Sequence, residues 1–145
     1  MTGLGRGQVL FQFVRHWSRR SVAADTGIDQ GRLVLVCEAV HALNLRAIPT
    51  TVNSIAQEIG IDQSGASRLI KSAAVAGYLV MASSATDGRR REASLTAAGR
   101  SMLDHAHRWQ DDVFAELTRG WSDKKHRDFQ QAMTDLIERS YALDA

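Results

Sequence analysis

Three consecutive arginines, Arg89, Arg90 and Arg91, stand directly behind Asp87-Gly88, a dipeptide that marks turns between extended segments. Cations gathered at a turn suit a polyanion, and an arginine on a projecting loop can enter a DNA minor groove, where it senses width and negative potential. Asp87 opposes a phosphate, so its expected part is to pair with Arg89 and fix the loop's shape. Upstream, Gln63, Ser64, Ser67, Arg68 and Lys71 recur at spacings that gather them on one side of a helix. Gln and Arg can hydrogen-bond base edges, while Ser and Lys hold phosphates. The N–H groups at such a helix's start also attract phosphate. Taken separately, these features read equally well as a solvated helix face and a solvated charge run. Their succession within one stretch favours nucleic acid.

Other residues carry weaker chemistry. Cys37 and His41 stand one turn apart on an expected helix, a spacing compatible with shared metal ligation. Cys37 directly follows Leu33-Val34-Leu35-Val36, so a small buried hydrophobe is the preferred reading over a metal ligand or redox-active thiol. His105 and His107 point to different sides of a helix, a poor geometry for one metal, and are expected in solvent or at a subunit edge. His16, Trp17, His41 and Trp109 offer rings and imidazoles that suit a planar ligand, with Cys37 nearby; aromatic residues on helix stripes are more often core. Gly3, Gly5 and Gly7 alternate with no strand before them, so they form no phosphate loop. No paired catalytic carboxylates and no Ser-His-Asp arrangement are visible. Neither an enzyme, a metal site nor a cofactor is expected.

The 145 residues are 44% hydrophobic and 23% charged, with one proline and one cysteine. That is one domain's worth of chain, long enough for a real core. Cys37 alone can form no intramolecular disulfide, and a reducing cytoplasmic setting is expected. No run approaches the roughly 18 apolar residues of a membrane span. Met1 to Gly7 has no apolar signal core and reads as a frayed end. The net charge is +2, but residues 1–50 carry +3, residues 51–100 carry +2 and residues 101–145 carry −3. One region therefore suits a polyanion and another faces elsewhere.

The elements that must position these residues follow from periodicity. Leu10, Phe13, Val14 and Trp17 form the stripe of a first helix. Asp25 to Gly31 reads as a connection, and a second helix is expected from about Arg32 to Asn44, buried on more than one side. Pro49 marks its exit. Thr51 can cap a short helix with Val52, Ile55, Ala56 and Ile59 inward, ended by Gly60. Asp62 or Ser64 can cap the next helix, which turns Ala66, Leu69, Ile70 and Ala73 inward and closes at Gly77. Two short strands, Tyr78 to Ser83 and about Glu92 to Thr96, flank the arginine loop. Thr96 can cap a long helix whose seam is Met102, Ala106, Trp109, Val113 and Leu117. After Gly120, Ser122 can cap a last helix with Phe129, Met133, Leu136, Ile137 and Ser140 on one face. The terminal stripes outnumber the residues available to cover them, and a second subunit is the simple explanation.

With these elements in place, the chain resembles the MarR (multiple-antibiotic-resistance) family of transcriptional regulators. The matching stretches are TVNSIAQEIGIDQSGASRLIKSAAVAGYLV and DGRRREASLTAAGR. The D-x-R wing signature falls on Asp87 and Arg89, and the closing L-T-x-x-G on Leu95, Thr96 and Gly99. The resemblance implies a mainly α fold with a small two- to three-stranded antiparallel wing. It divides one domain into N-terminal dimerisation and pocket helices (1–48), a winged helix-turn-helix (49–96) and C-terminal dimerisation helices (97–145). It further implies a cytoplasmic homodimer, joined through its first, fifth and sixth helices, that represses pseudo-palindromic double-stranded DNA sites. A small aromatic or phenolic ligand between dimerisation helices and winged domain would relieve repression. DNA contacts carried over are Gln63, Ser64, Ser67, Arg68, Lys71 and Arg89, with Arg90 and Arg91 an added basic density. Ser72 to Ala76 departs from the family in lacking charge; it is expected to face inward and to touch no DNA. One branch senses oxidants through a cysteine near the chain start, where this sequence has none. Two rivals remain open: a winged-helix interaction module whose arginines bind an acidic protein, and a thiol-based sensor through Cys37.

Overall fold

The computed structural model describes residues 3–18 and 28–144. Among these residues the order is α1 (Arg6–Ser18), α2 (Ile28–Leu45), α3 (Val52–Ile59), α4 (Gln63–Val75), β1 (Leu79–Ser83), β2 (Arg91–Leu95), α5 (Ala97–Leu117) and α6 (Asp123–Asp144). The chain forms two compact units, Met1–His107 and Arg108–Ala145. The division falls inside α5.

In the first unit, α2 is the central helix. Val34, Val36, Cys37, Ala39, Val40 and Leu43 are all buried, which fits the nearly unbroken apolar run in its sequence. The helix starts at Ile28, earlier than the expected Arg32, so Gln30 and Gly31 are helical rather than connecting. Asp25 to Gly27 lie outside the described residues. A tie to distant elements accounts for the extra turn. Gln30 Nε2 lies 3.0 Å from Met102 Sδ and 3.5 Å from Tyr78 Oη, contacts that offset the roughly 1 kcal/mol a helical glycine costs. At the other end Ala47 takes a left-handed φ of 56°. The Ile48 N–H closes onto Leu43 O at 2.9 Å, the wrap usually completed by glycine.

The helix pair that follows is set by its caps. Thr51 accepts the Ser54 N–H at 3.1 Å, and Gly60 ends α3 at φ 83°. Asp62, not Ser64, caps α4 by accepting the Gly65 N–H at 2.8 Å. Ile55 and Ala56 of α3 and Ala66, Ile70 and Ala73 of α4 are buried, with Val52, Ile59 and Leu69 packed partly exposed at the core's edge. Ser72 to Ala76 does not turn inward as a segment: Ala73 is enclosed, but Val75 is 84% exposed.

β1 and β2 form an antiparallel pair in the register Leu79–Leu95, Met81–Ala93 and Ser83–Arg91. Two strands make up the sheet among the described residues, and Thr50 extends it by a single residue. The Ala93 N–H donates to Thr50 O at 2.9 Å, and Thr50 Oγ1 donates to Ala93 O at 2.6 Å. Leu79 and Ala93 join the core of α2, α3 and α4, so the hairpin's root is fixed to the helices.

Thr96 caps α5 by accepting the Gly99 N–H at 3.0 Å, while its hydroxyl donates to Gly77 O at 2.6 Å. Gly99 is required here, because a Cβ would lie 2.2 Å from Tyr78 O. The buried stripe of α5 is Gly99, Leu103 and Ala106, which shares only Ala106 with the expected seam: Met102 is half-buried, Trp109 and Val113 are partly exposed, and Leu117 is exposed. In the second unit, Ser122 caps α6 through the Lys125 N–H at 3.1 Å. Phe114 and Trp121 pack against Phe129 with ring centroids 5.6 and 5.5 Å apart. Neither α1 nor α6 has a buried residue.

Candidate nucleic-acid interface

α3, the Gly60 turn and α4 form a helix-turn-helix, and the hairpin behind it is the wing. Burial of Ala66, Ile70 and Ala73 fixes the rotation of α4. Gln63, Ser64, Ser67, Arg68 and Lys71 are consequently all exposed. Two amide- or cation-bearing chains able to reach base edges, Gln63 and Arg68, thus share a helix face with Lys71, a phosphate-binding type.

The start of α4 differs from the sequence expectation. It is not an open cluster of N–H donors, because the Asp62 carboxylate occupies it. The Gly65 N–H donates to Oδ1, and the Ser64 hydroxyl donates to Oδ2 at 3.2 Å. These bonds, the Gly65 N–H foremost, hold the Asp62 carboxyl below the usual carboxylate range, with Arg68 adding attraction. A charged Asp62 repels phosphate, and this helix end is better suited to base edges than to the backbone. Gly65 is part of the same device, since a Cβ there would meet Asp62 Oδ1 at 2.6 Å.

The wing loop, 84–90, is tied from within. Buried Ser84 donates its N–H to Arg90 O at 2.7 Å, and its Oγ accepts the Thr86 and Asp87 N–H groups at 3.3 and 3.4 Å. Asp87 Oδ1 accepts the backbone N–H of Arg89 at 3.1 Å. Asp87 thus shapes the loop through the main chain, not by pairing with the Arg89 guanidinium. Nor are the three arginines equivalent. Arg90 faces Glu92 at 3.9 Å, and Arg91 donates to Met81 O at 3.3 Å. Among the described residues the exposed Arg89 guanidinium has no such partner. Ser84 and Glu92 were missed from sequence; a serine opening a turn and a carboxylate following three arginines were the available signals.

The proposed ligand residues do not all suit that role. Cys37 has no exposed surface, and burial, reinforced by neighbouring Glu38, pushes its thiol up to about 12. It therefore carries almost no thiolate near neutral pH, and neither ligand lining nor redox sensing fits it. His41 is half-buried, and its ring centre lies 5.7 Å from that of His107. His107 is not merely solvated, because its Nε2 lies 2.6 Å from Glu38 Oε1, a tie of α5 to α2. His16 and Trp17 meet edge-on at 5.3 Å on α1. Trp109 belongs to the second unit. Among the described residues no group of three metal-binding side chains converges, and no helix is long and apolar enough to cross a membrane.

No family model and no curated protein matches the chain. Solved structures do. The fold is similar to that of the multiple antibiotic resistance repressor MarR, at TM-score 0.71 and 14% identity over 92% of this chain and 96% of that one. A MarR family transcriptional regulator from Silicibacter pomeroyi gives 0.68 and 20% identity over 92% and 88%. BpsR from Bordetella bronchiseptica, whose DNA binding is regulated by 6-hydroxynicotinic acid, gives 0.65 and 13% over 94% and 95%. The chain has the winged helix-turn-helix fold of MarR-type regulators.

Proposed function

We propose that the chain is a MarR-family, sequence-specific DNA-binding regulator, not an enzyme, acting in the cytoplasm as a homodimeric repressor. The observation that carries this reading is the exposed row Gln63, Ser67, Arg68 and Lys71 on a capped, rotationally fixed α4, beside a wing tipped by exposed Arg89. α4 enters the major groove, its first residues at base edges, and the wing reaches the flanking minor groove. The exposed apolar residues of α1 and α6 are covered by the second subunit, which sets two recognition helices about one helical turn apart. Relief of repression by a small aromatic or phenolic effector draws support from the regulation of BpsR, with His16, Trp17 and His41 offered as ring-bearing contacts.

Footprinting on DNA upstream of the chain's own gene tests the reading. Two protected half-sites spaced by about one helical turn are expected. Absence of protection on any upstream segment would contradict it, and retention of the exposed arginines by an acidic protein would then favour the interaction-module reading.

A further inference from the structure

Resting on the DNA-binding reading, the wing carries a second feature: a carboxylate that restrains one of its own cations. Arg89, Arg90 and Arg91 are adjacent and exposed, yet their surroundings differ. The loop that presents them is knit by Ser84 and Asp87, so the three side chains leave a backbone whose course is set. Arg91 turns back along the hairpin to Met81 O. Arg90 turns toward Glu92, whose side chain is only 27% exposed against 42% for Arg90. Glu92 pairs with Ala82 across the hairpin, so its place is set by the sheet rather than by the loop.

We propose that Glu92 is a specificity-setting residue, holding Arg90 off the phosphate backbone so that Arg89 alone makes the wing's contact. The physical logic is a difference of affinities. A cation added to the wing strengthens binding to every duplex by releasing counterions, without regard to sequence. Its restraint lowers non-specific binding while leaving base reading by α4 intact, which raises the ratio of specific to random affinity.

The test is a cycle of four full-length proteins, wild type, Glu92→Gln, Arg90→Ala and the double variant, with Arg89→Ala alongside. Each is titrated on random duplex and on its footprinted site at several salt concentrations. Glu92→Gln should raise random-duplex affinity about threefold and steepen the salt dependence by about 0.9 per chain. Arg90→Ala should leave the wild type within twofold but abolish the gain in the Glu92→Gln background. Arg89→Ala should lose about tenfold on both duplexes. Equal thermal midpoints for wild type and Glu92→Gln keep the comparison clear of folding. Unchanged affinity and slope in Glu92→Gln, with a wild type that binds DNA in a salt-dependent way, would overturn the inference alone. A wild type that binds no duplex would overturn it together with the DNA-binding reading.

Discussion

Ala47 holds a left-handed backbone where its Cβ crowds the following carbonyl oxygen, at a cost of about 1–2 kcal/mol. Ala47→Gly relieves that strain and adds some unfolded-state entropy, so a net stabilisation of about 0.5–1 kcal/mol is expected in urea unfolding; a destabilised variant would refute the reading of this cap. Gly99 is the opposite case. A methyl there meets backbone that cannot yield, and Gly99→Ala should lose about 1–3 kcal/mol. Asp62 adds a pH dependence with a definite sign. Its carboxyl is held low in the folded chain, so its contribution is complete above the ordinary carboxylate value of about 3.9. It disappears as pH falls through the lower folded value. Wild type and Asp62→Ala should therefore differ in thermal midpoint at neutral pH and converge in strong acid; a gap that widened on acidification would refute this. The capping residues were legible because a cap is a local event, readable within three or four positions. The partnership of His107 with Glu38, 69 residues apart, has no local signature. The role of Asp87 was legible only in part, since residue types reveal a turn but not whether a carboxylate takes a main-chain or side-chain donor.

Among the elements, the helix-turn-helix was read nearly to the residue, because glycine stops and inward faces agree there with the caps. The ends of α2 and the seam of α5 were not. Gly31 looks like a terminator until Gln30 is seen reaching Met102 and Tyr78, and Leu103 replaces Met102 as the buried member because the close approach at Gly99 fixes the helix's rotation. The expected two- to three-stranded wing left a third member unplaced, because one residue, Thr50, is too short to show alternation. It is nevertheless buried and bonded twice to Ala93. Thr50→Val keeps the shape and removes the hydroxyl donor, so a loss of about 1 kcal/mol is expected. Faster amide exchange in 79–83 and 91–95 should accompany it, and unchanged protection of the hairpin would contradict its anchoring role.

For the whole molecule, the uncovered apolar residues and the uneven charge belong together. Leu10, Phe13 and Val14 of α1 and Leu136 and Ile137 of α6 are exposed, and the proposed second subunit is what would cover them. Light scattering should return twice the 16.0 kDa chain mass; a monomer at micromolar concentration would remove the second subunit from the account. Residues 51–100, which hold α4 and the wing, carry +2, and the last 45 residues carry −3, a contrast that suits a polyanion at the former and a protein partner at the latter. The most direct test of the central claim is fluorescence anisotropy on DNA from upstream of the chain's own gene against scrambled duplex, at two salt concentrations. Tighter binding to the native fragment, falling steeply as salt rises, is the result expected of a regulator that reads bases from a phosphate-anchored frame. Equal, weak binding to both duplexes would contradict it.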